Sequence, residues 1–276
     1  MIKLLNAGFT RLRKNKAFWI WTIFSICLAS CMTLINYSDM KKFGDVIEIG
    51  QLMLNYPTMI GIIIAIFTSL FLGVEYSDGA IRNKIIIGHK RINIYLSNFI
   101  IITATSLFQY IIYLIIILSL GAPLFGMGTL PIQTLIVKVL LMCAVIITYS
   151  SICTFIAIEC SNKTLTAVIN IMSIFTLLMV ATYCYSRLGT PPYIEVAKIN
   201  DKNSGNYEIT QEPNPKYPTE EEKKVYQTLL NVNPAGQTFQ VGEKNDGLEI
   251  LPVYSLGIII VSTTLGLVLF EQKNLK

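Results

Sequence analysis

The chain has 276 residues, of which 53% are hydrophobic and 14% are charged, and its formal net charge is +5. Soluble domains carry about one quarter charged residues, so this composition excludes an ordinary soluble protein, and the modest charge gives no indication of a nucleic-acid partner. The mean hydropathy of +0.56 and several apolar runs of about 20 residues predict a polytopic helical membrane protein. The six cysteines and one histidine form no metal-ligand motif, so neither a zinc site nor a disulfide framework is expected.

The first 16 residues have the periodicity of a helix. Ile2, Leu5, Phe9 and Leu12 form one apolar stripe, and five basic residues occupy the other faces. This pattern predicts an amphipathic helix that lies on the inner membrane surface. A disordered basic tail is the alternative.

Six apolar runs predict six membrane-spanning helices. A basic segment before an apolar run also occurs in signal peptides, but the first run continues past Cys31, which favours an uncleaved span. The predicted spans are residues 17–36, 56–74, 97–120, 132–158, 164–185 and 251–270.

A long hydrophilic segment, residues 186–250, separates the fifth span from the sixth. Within it, Thr219 is an N-cap residue type and three glutamates follow, which predicts a helix over 218–230. We therefore divide the chain into residues 1–185, with five spans, the segment 186–250, and residues 251–276, with the last span and a polar tail.

The distribution of basic residues predicts the orientation of the chain. With six spans, both termini lie on the same side of the membrane. If that side is the cytoplasm, the inner segments carry 12 Lys and Arg against 4 acidic residues, and the outer segments carry 9 against 13. This asymmetry follows the positive-inside rule, so we expect cytoplasmic termini and an extracellular segment 186–250.

Small side chains recur at every fourth position of the second span. In a helix such positions lie along one side, which allows another helix backbone to approach closely. The contact could lie within one subunit or between two subunits. The residues concerned are Gly61, Ala65, Ser69 and Gly73.

Three polar side chains lie inside predicted spans, where polar groups are costly and face protein or water. Gln109 and Asn170 could line a substrate pathway, or they could form hydrogen bonds between helices. Lys138 could also line such a pathway, or it could extend its amine outward to the membrane surface. Neither a GxxxxGK[ST] phosphate loop nor an HExxH motif occurs, so the chain itself is not expected to be an enzyme.

The segment 75–91, EYSDGAIRNKIIIGHKR, interrupts the apolar pattern between the second and third spans. Ser77 and Asp78 are N-cap residue types, and Gly88 is a typical residue just after a helix. These caps predict a short helix over Gly79–Ile87.

Ile81 and Ile85 lie one turn apart in this short helix and form an apolar edge, while Arg82 and Lys84 project elsewhere. A helix of this length is marginal in isolation. We expect a partner that buries the isoleucines to stabilise it. The alternative is a surface loop that merely follows the positive-inside rule.

The sequence EYSDGAIRNK, residues 75–84, lies between the second and third spans of a six-span chain and resembles the membrane subunit of an ABC-2 type transporter, which has the type V exporter fold. The amphipathic N-terminus, the inner termini and the larger outer segment before the last span resemble these permeases too. A basic exit from that span, residues 270–273, completes the resemblance. The length of segment 186–250 departs from it, because many such permeases have only short re-entrant helices there.

The resemblance implies an exporter in a bacterial plasma membrane, with a hydrophobic compound, a lipid or a peptide as cargo. Two permease subunits, identical or different, would assemble with two separate ATP-binding subunits, which would hold ATP and Mg²⁺. A coupling helix in segment 75–91 would insert into a groove of the ATPase. The residues expected at this contact are Glu75, Tyr76, Asp78, Gly79, Ile81, Arg82, Asn83 and Ile85.

Two other functions remain open from the sequence. A membrane sensor or a bacteriocin-immunity protein would use segment 186–250 to bind a ligand without transport. A secondary carrier would need more spans and inverted repeats, and the sequence contains neither.

Overall fold

Helices dominate the computed structural model, which describes residues 1–44, 48–126, 131–160, 162–199, 207–243 and 247–273. The elements in chain order are α1 (Ile2–Lys14), α2 (Lys16–Phe43), α3 (Ile49–Ser77), α4 (Ala80–Ile86), α5 (Arg91–Phe125), α6 (Ile132–Glu159), α7 (Lys163–Leu188), β1 (Tyr193–Ile199), β2 (Tyr207–Pro213), α8 (Glu220–Val232), α9 (Pro234–Glu243) and α10 (Leu251–Gln272).

Six helices in the described part of the chain are long and apolar enough to cross a membrane, namely α2, α3, α5, α6, α7 and α10. They contain 22 to 35 residues, so at 1.5 Å per residue they extend about 33 to 52 Å, more than a hydrocarbon core of about 30 Å. The predicted all-α class with six apolar helices is therefore confirmed.

Several spans are longer than the apolar runs that predicted them. Helix α2 continues to Phe43 and ends where Gly44 adopts a left-handed φ of 75°. Because α3 already starts at Ile49, most of the expected polar loop 37–55 is helical. Helix α5 likewise continues into the expected turn 121–131, of which residues 127–130 lie outside the described residues. The hydropathy of an apolar run does not determine where its helix ends, and α2 ends only at the left-handed glycine that follows it.

Helix α3 lies at the centre of the bundle, against α5, α6 and α7, while α10 packs on α6 and α2 packs on α5. Two fully buried tyrosines of α5 join it to the first half of α3. The hydroxyl of Tyr113 donates to the carbonyl of Leu52 (2.8 Å), and that of Tyr110 donates to the carbonyl of Met53 (3.2 Å). Because buried polar groups need partners, these bonds fix how the two helices align.

We call the end of the bundle where α3 stops and α5 starts the α4 end, and the opposite end the α9 end. Helix α1 lies at the α4 end and packs on α5 through Leu4, Gly8 and Leu12. A Cβ atom at Gly8 would collide with the end of the Ile101 side chain, so a larger residue there would require Ile101 to move.

Only part of the apolar stripe predicted for α1 takes part in this contact. Leu12 is buried and Leu5 packs partly against the core, but Ile2 is 74% exposed and Phe9 is exposed as well. The face that packs on α5 is therefore rotated from the predicted one, because close approach at Gly8 decides it. Ile2 and Phe9 remain on the outer side.

At the α9 end, β1 and β2 form an antiparallel hairpin, and α8 and α9 follow it. The predicted start of α8 is confirmed: the Thr219 hydroxyl accepts from the Glu222 amide, and the Glu222 carboxylate accepts from the Thr219 amide. The hairpin and α9 were not predicted. Seven of the ten residues of α9 are buried, and α9 packs against α3, α6 and α7.

Helix α9 starts deep between the spans. The Asn233 side chain donates to the Leu177 carbonyl in the middle of α7 (2.7 Å). Gly236 lies so close to α8 that a Cβ atom there would be 2.6 Å from the Leu230 carbonyl oxygen. Helix α9 therefore inserts into the bundle from this end, with the end of α8 packed closely against it.

Candidate functional site

Helix α4 is short because two glycines in left-handed conformations bound it. Gly79 precedes it with φ 67°. After it, the His89 amide donates to the Lys84 carbonyl (3.1 Å) and the Gly88 amide donates to the Ile85 carbonyl (2.9 Å), while Gly88 has φ 94°. This is the Schellman arrangement. The backbone itself therefore defines both ends of α4.

The structure corrects the predicted N-terminus of this helix. Ser77 is the last residue of α3, and Asp78 is its C-cap, with its amide bonded to the Val74 carbonyl (2.9 Å). Helix α4 has seven residues, without a side-chain N-cap, rather than the nine residues predicted over Gly79–Ile87. The turn at Gly79 separates the side chains of Ser77 and Asp78 from the first amides of α4.

The Glu75 carboxylate, 3% exposed, joins four helices at the α4 end. Arg11 of α1 forms an ion pair with Oε1, and Nζ of Lys84 of α4 lies 2.5 Å from the same oxygen. Nδ2 of Asn98 of α5 donates to Oε2 (3.3 Å). The Arg11 guanidinium also lies 3.7 Å from the centre of the Phe71 ring, a favourable cation–π contact.

Burial lowers the pKa of Arg11, and the charge of Glu75 acts in the opposite direction. Because a guanidinium stays protonated in proteins, Arg11 carries its charge into this partly buried position. Its Nε and second terminal nitrogen are buried and have no hydrogen-bond partner among the described residues. Among the described residues, the Glu75 carboxylate is therefore the one acidic partner that compensates the Arg11 charge, in addition to the apolar packing of α1 on α5.

A second set of contacts joins α3, α6 and α10 at the same end. The Tyr76 hydroxyl donates to the Ile158 carbonyl. Nζ of Lys273 donates to the carbonyls of Ile158 and Glu159, both at 2.6 Å, and lies 4.8 Å from the centre of the Tyr76 ring. Burial lowers the pKa of Lys273, while Glu159 raises it. Tyr76 and Lys273 thus satisfy the last carbonyls of α6.

Arg91, the first residue of α5, satisfies the last carbonyls of α10 in the same way. Its NH1 atom donates to the carbonyls of Phe270 (2.6 Å), Glu271 (2.9 Å) and Lys273 (2.7 Å). A cation at a helix C-terminus also interacts favourably with the helix dipole. The segment that carries α4 is therefore fixed to the bundle at both of its ends.

Besides Glu75, which is buried, two isoleucines among the predicted partner contacts are turned inward. Ile81 is 1% exposed and belongs to the hydrophobic core, and Ile85 packs partly against that core. The prediction that these isoleucines form a partner-facing edge is therefore wrong for Ile81. The reason is that α4 packs back on α3 and α5, so its apolar edge is buried within the chain.

The outward face of α4 consists of other residues. Ile86 is 71% exposed and Ile87 is 77% exposed, and Arg82 and Asn83 are exposed beside them. We call Arg82, Asn83, Ile86 and Ile87 the outer α4 face. These two adjacent, highly exposed isoleucines, flanked by polar side chains, make this surface the candidate contact site of α4.

The predicted stripe of small residues faces the interior of the chain. A Cβ atom at the first position would lie 2.9 Å from the Tyr149 ring of α6, and one at the last would lie 3.0 Å from the Lys163 backbone of α7. The helices that use this stripe are therefore α6 and α7 of the same subunit. The stripe consists of Gly61, Ala65, Ser69 and Gly73.

The two buried amides connect pairs of spans. Nε2 of Gln109 donates to the Thr22 hydroxyl (2.8 Å), which joins α5 to α2. Nδ2 of Asn170 donates to the Ser69 hydroxyl (3.0 Å), which joins α7 to α3. Lys138 is 3% exposed rather than extended outward, and it lines a cavity of about 420 Å³ at the α9 end.

Four residues of these contacts were not predicted as site residues, namely Arg11, Asn98, Arg91 and Lys273. Arg11 follows Gly8 by three residues, so both lie on the side of α1 that packs inward, and this spacing could have identified it. For the other three no local signal exists, because their partners are 23 to 182 residues away.

No protein-family model matches the chain, and no curated protein matches its sequence.

Proposed function

We propose that this chain is the membrane-spanning subunit of an ATP-binding-cassette transporter of the ABC-2 type, and that α4 is its coupling helix. The α4 end would face the bacterial cytoplasm together with both termini, and the α9 end would face outward. Two such subunits, identical or different, would act with two ATPase subunits that bind ATP and Mg²⁺. The cargo would be a hydrophobic compound, a lipid or a peptide that the transporter exports.

The observation that carries this proposal is the junction at Glu75. A helix that transmits force must be accessible on one side and fixed to the spans on the other. Helix α4 has an outer face for a partner, while its Lys84 shares the Glu75 carboxylate with α1 and α5. Displacement of α4 would therefore move α3 and α5 directly, because α4 lies between them in the chain and all three meet at this carboxylate.

The outer α4 face has the composition of a protein contact. Complete burial of an isoleucine contributes about 1.5–3 kcal/mol. Ile86 and Ile87 are still mostly exposed, so a partner that covers them would gain most of this energy. Arg82 and Asn83 add polar groups beside them, as at the rim of an interface. In this proposal Glu75, Tyr76 and Ile81 do not contact the ATPase; they hold the coupling helix in position.

Co-purification with the ATP-binding subunit and its transport-coupled ATP turnover test this proposal. The variant Ile86→Asp/Ile87→Asp should lose the complex, and Arg82→Glu should reduce turnover at least tenfold. Both changes lie on an exposed surface, so the helical content should stay at the wild-type level. Val225→Asp is the matched control, because Val225 is 56% exposed on α8 at the other end of the bundle. An intact complex with full turnover in the double variant would refute the coupling role.

The hairpin β1–β2 favours a second candidate function, a sensor that binds a ligand without transport. Tyr193 is 57% exposed and Ile194 is 38% exposed on this hairpin. The Asn214 amide donates to the Pro192 carbonyl (2.9 Å), so the hairpin can be removed where its ends already meet. Loss of ligand binding after this deletion, in a chain that moves no substrate, would favour the sensor. Continued transport would favour the permease.

A further inference from the structure

An apolar groove runs between α2 and α3 on the outside of the bundle. It has a volume of about 310 Å³, at the lower limit for small-molecule sites of about 300–1,000 Å³. Trp21 and Phe67 form its floor, with ring centres 5.0 Å apart. The side chains of Ile20, Phe24, Ile66 and Leu70 form its walls.

The position of the groove along α2 matches one leaflet of a membrane. Its α2 residues lie between Ala17 and Phe24, directly after the start of that helix. From Lys16 to Phe24 the helix rises about 12 Å, and half of a hydrocarbon core is about 15 Å. The groove therefore extends from the membrane surface at the α4 end to near the bilayer midplane, which is the depth of a single acyl chain.

Basic side chains lie at the surface end of the groove. Lys16 precedes Ile20 by four residues, so the two lie on the same face of α2. Lys14 is the last residue of α1. The Trp19 indole donates to the Arg13 carbonyl (2.9 Å), and this bond joins the start of α2 to the end of α1. Arg13, Lys14 and Lys16 are exposed, and none forms an ion pair within the described part of the chain.

We infer that the groove binds an acyl chain of an anionic phospholipid from the leaflet at the α4 end, with the phosphate beside Lys14 and Lys16. The groove has apolar walls and the depth of one leaflet, as an acyl chain requires. The unpaired basic side chains at its surface end complement the negative charge of the headgroup. A second copy of this subunit fits less well, because a two-fold axis along the membrane normal would bring the same basic residues together. This inference requires a membrane-spanning chain and does not depend on transport.

The chain contains two tryptophans, Trp19 and Trp21; Trp21 lines the groove, so its fluorescence reports the occupant. The full chain in phosphatidylcholine nanodiscs is titrated with brominated phosphatidylglycerol or with brominated phosphatidylcholine. We expect the anionic lipid to quench at a lower mole fraction. The Trp21→Phe variant should lose most of this difference, because Trp21 lines the groove and Trp19 does not.

The double variant Lys14→Gln/Lys16→Gln should lower the preference for the anionic lipid about 25-fold. Each basic residue near a membrane surface contributes about fivefold, which corresponds to about 1 kcal/mol. The matched control is Lys41→Gln/Lys42→Gln, which removes two charges from the other end of α2 and should keep the preference.

Three results would overturn this inference. Equal quenching by the two lipids would show that the headgroup is not recognised. An unchanged preference in Lys14→Gln/Lys16→Gln would place the anion elsewhere. Absence of quenching by either lipid, with a dimer in mass photometry, would show that a second copy covers the groove.

Discussion

Replacement of Glu75 by glutamine tests whether one carboxylate holds the α4 end together. The change keeps the shape of the side chain and removes its charge. Arg11 and Lys84 would then face a neutral amide, and the hydrogen bond from Asn98 would remain possible through the amide oxygen. The variant therefore separates the loss of charge from the loss of packing.

The magnitude follows from how far the two cations are buried. Removal of one partner from a fully buried ion pair costs about 3–5 kcal/mol. The side chains of Arg11 and Lys84 are 33% and 23% exposed, so water relieves part of this cost. We expect a loss of about 3 kcal/mol in the free energy of unfolding, at the lower end of that range.

Denaturant titration in detergent micelles, combined with a double-mutant cycle, measures this effect. The cycle pairs Glu75→Gln with Arg11→Met, and the coupling energy should be at least about 1.5 kcal/mol, as for hydrogen bonds to charged groups. The exposed pair of Glu220 and Lys223 on α8 is the control, and its coupling should be too small to measure. A coupling energy below about 0.5 kcal/mol for Glu75 and Arg11 would refute the proposed junction.

Three further predictions concern packing, interhelical bonds and pH. Gly266→Ala should destabilise the chain by about 1–3 kcal/mol, because its Cβ atom would collide with a buried tyrosine of α5. Gly257→Ala on the same helix is the control, because a Cβ atom there meets free space. Equal stability of the two variants would contradict this prediction. A cycle of Asn170→Leu and Ser69→Ala should give a coupling of about 0.6 to 2 kcal/mol in the same titration, and a coupling near zero would contradict the interhelical bond. Hydrogen bonds at the start of α8 lower the pKa of Glu222, so they stabilise α8 above pH 4.5, and this contribution disappears as pH falls through the lowered pKa. Amide exchange in α8, corrected for intrinsic rates, should therefore accelerate below pH 4.5 in the wild type, and a Glu222→Gln variant with the same pH dependence would contradict the assignment.

The sequence was sufficient to predict features that depend on local pattern. The six apolar helices follow from length and hydropathy, and the start of α8 follows from Thr219 and the glutamates after it, because a cap involves residues only three apart. Gly88 was predicted to follow α4 because glycine readily adopts the left-handed conformation that ends a helix. Each of these predictions needed information from one short segment.

Features that depend on contacts between distant segments could not be predicted. The helical periodicity placed Arg11 on a polar face of α1, but Gly8 allows α1 to approach α5, and this approach turns Arg11 towards Glu75. Likewise Ile81 and Ile86 look equivalent in the sequence, and only the packing of α4 on α3 and α5 decides which of them is buried.

The inward packing of α4 changes what a partner has to contribute. A seven-residue helix is unstable in isolation, and the sequence suggested that a partner would order it. In the structure Ile81, the bond of Lys84 to Glu75 and the turn at Gly88 already order α4 within the chain. Binding at the outer α4 face then loses little conformational entropy, which is the advantage of preorganisation.

Hydrogen exchange distinguishes these two situations in the free subunit. If α4 is preorganised, the amides of Asn83 and Ile87, which bond to the carbonyls of Gly79 and Asn83, should be protected before any partner is added. Glu75→Gln should reduce this protection, because it releases Lys84, while the amides of α8 should exchange as in the wild type. Rapid exchange in the free wild-type chain, with protection appearing only in the complex, would mean instead that the partner orders α4 and that the junction at Glu75 forms on binding.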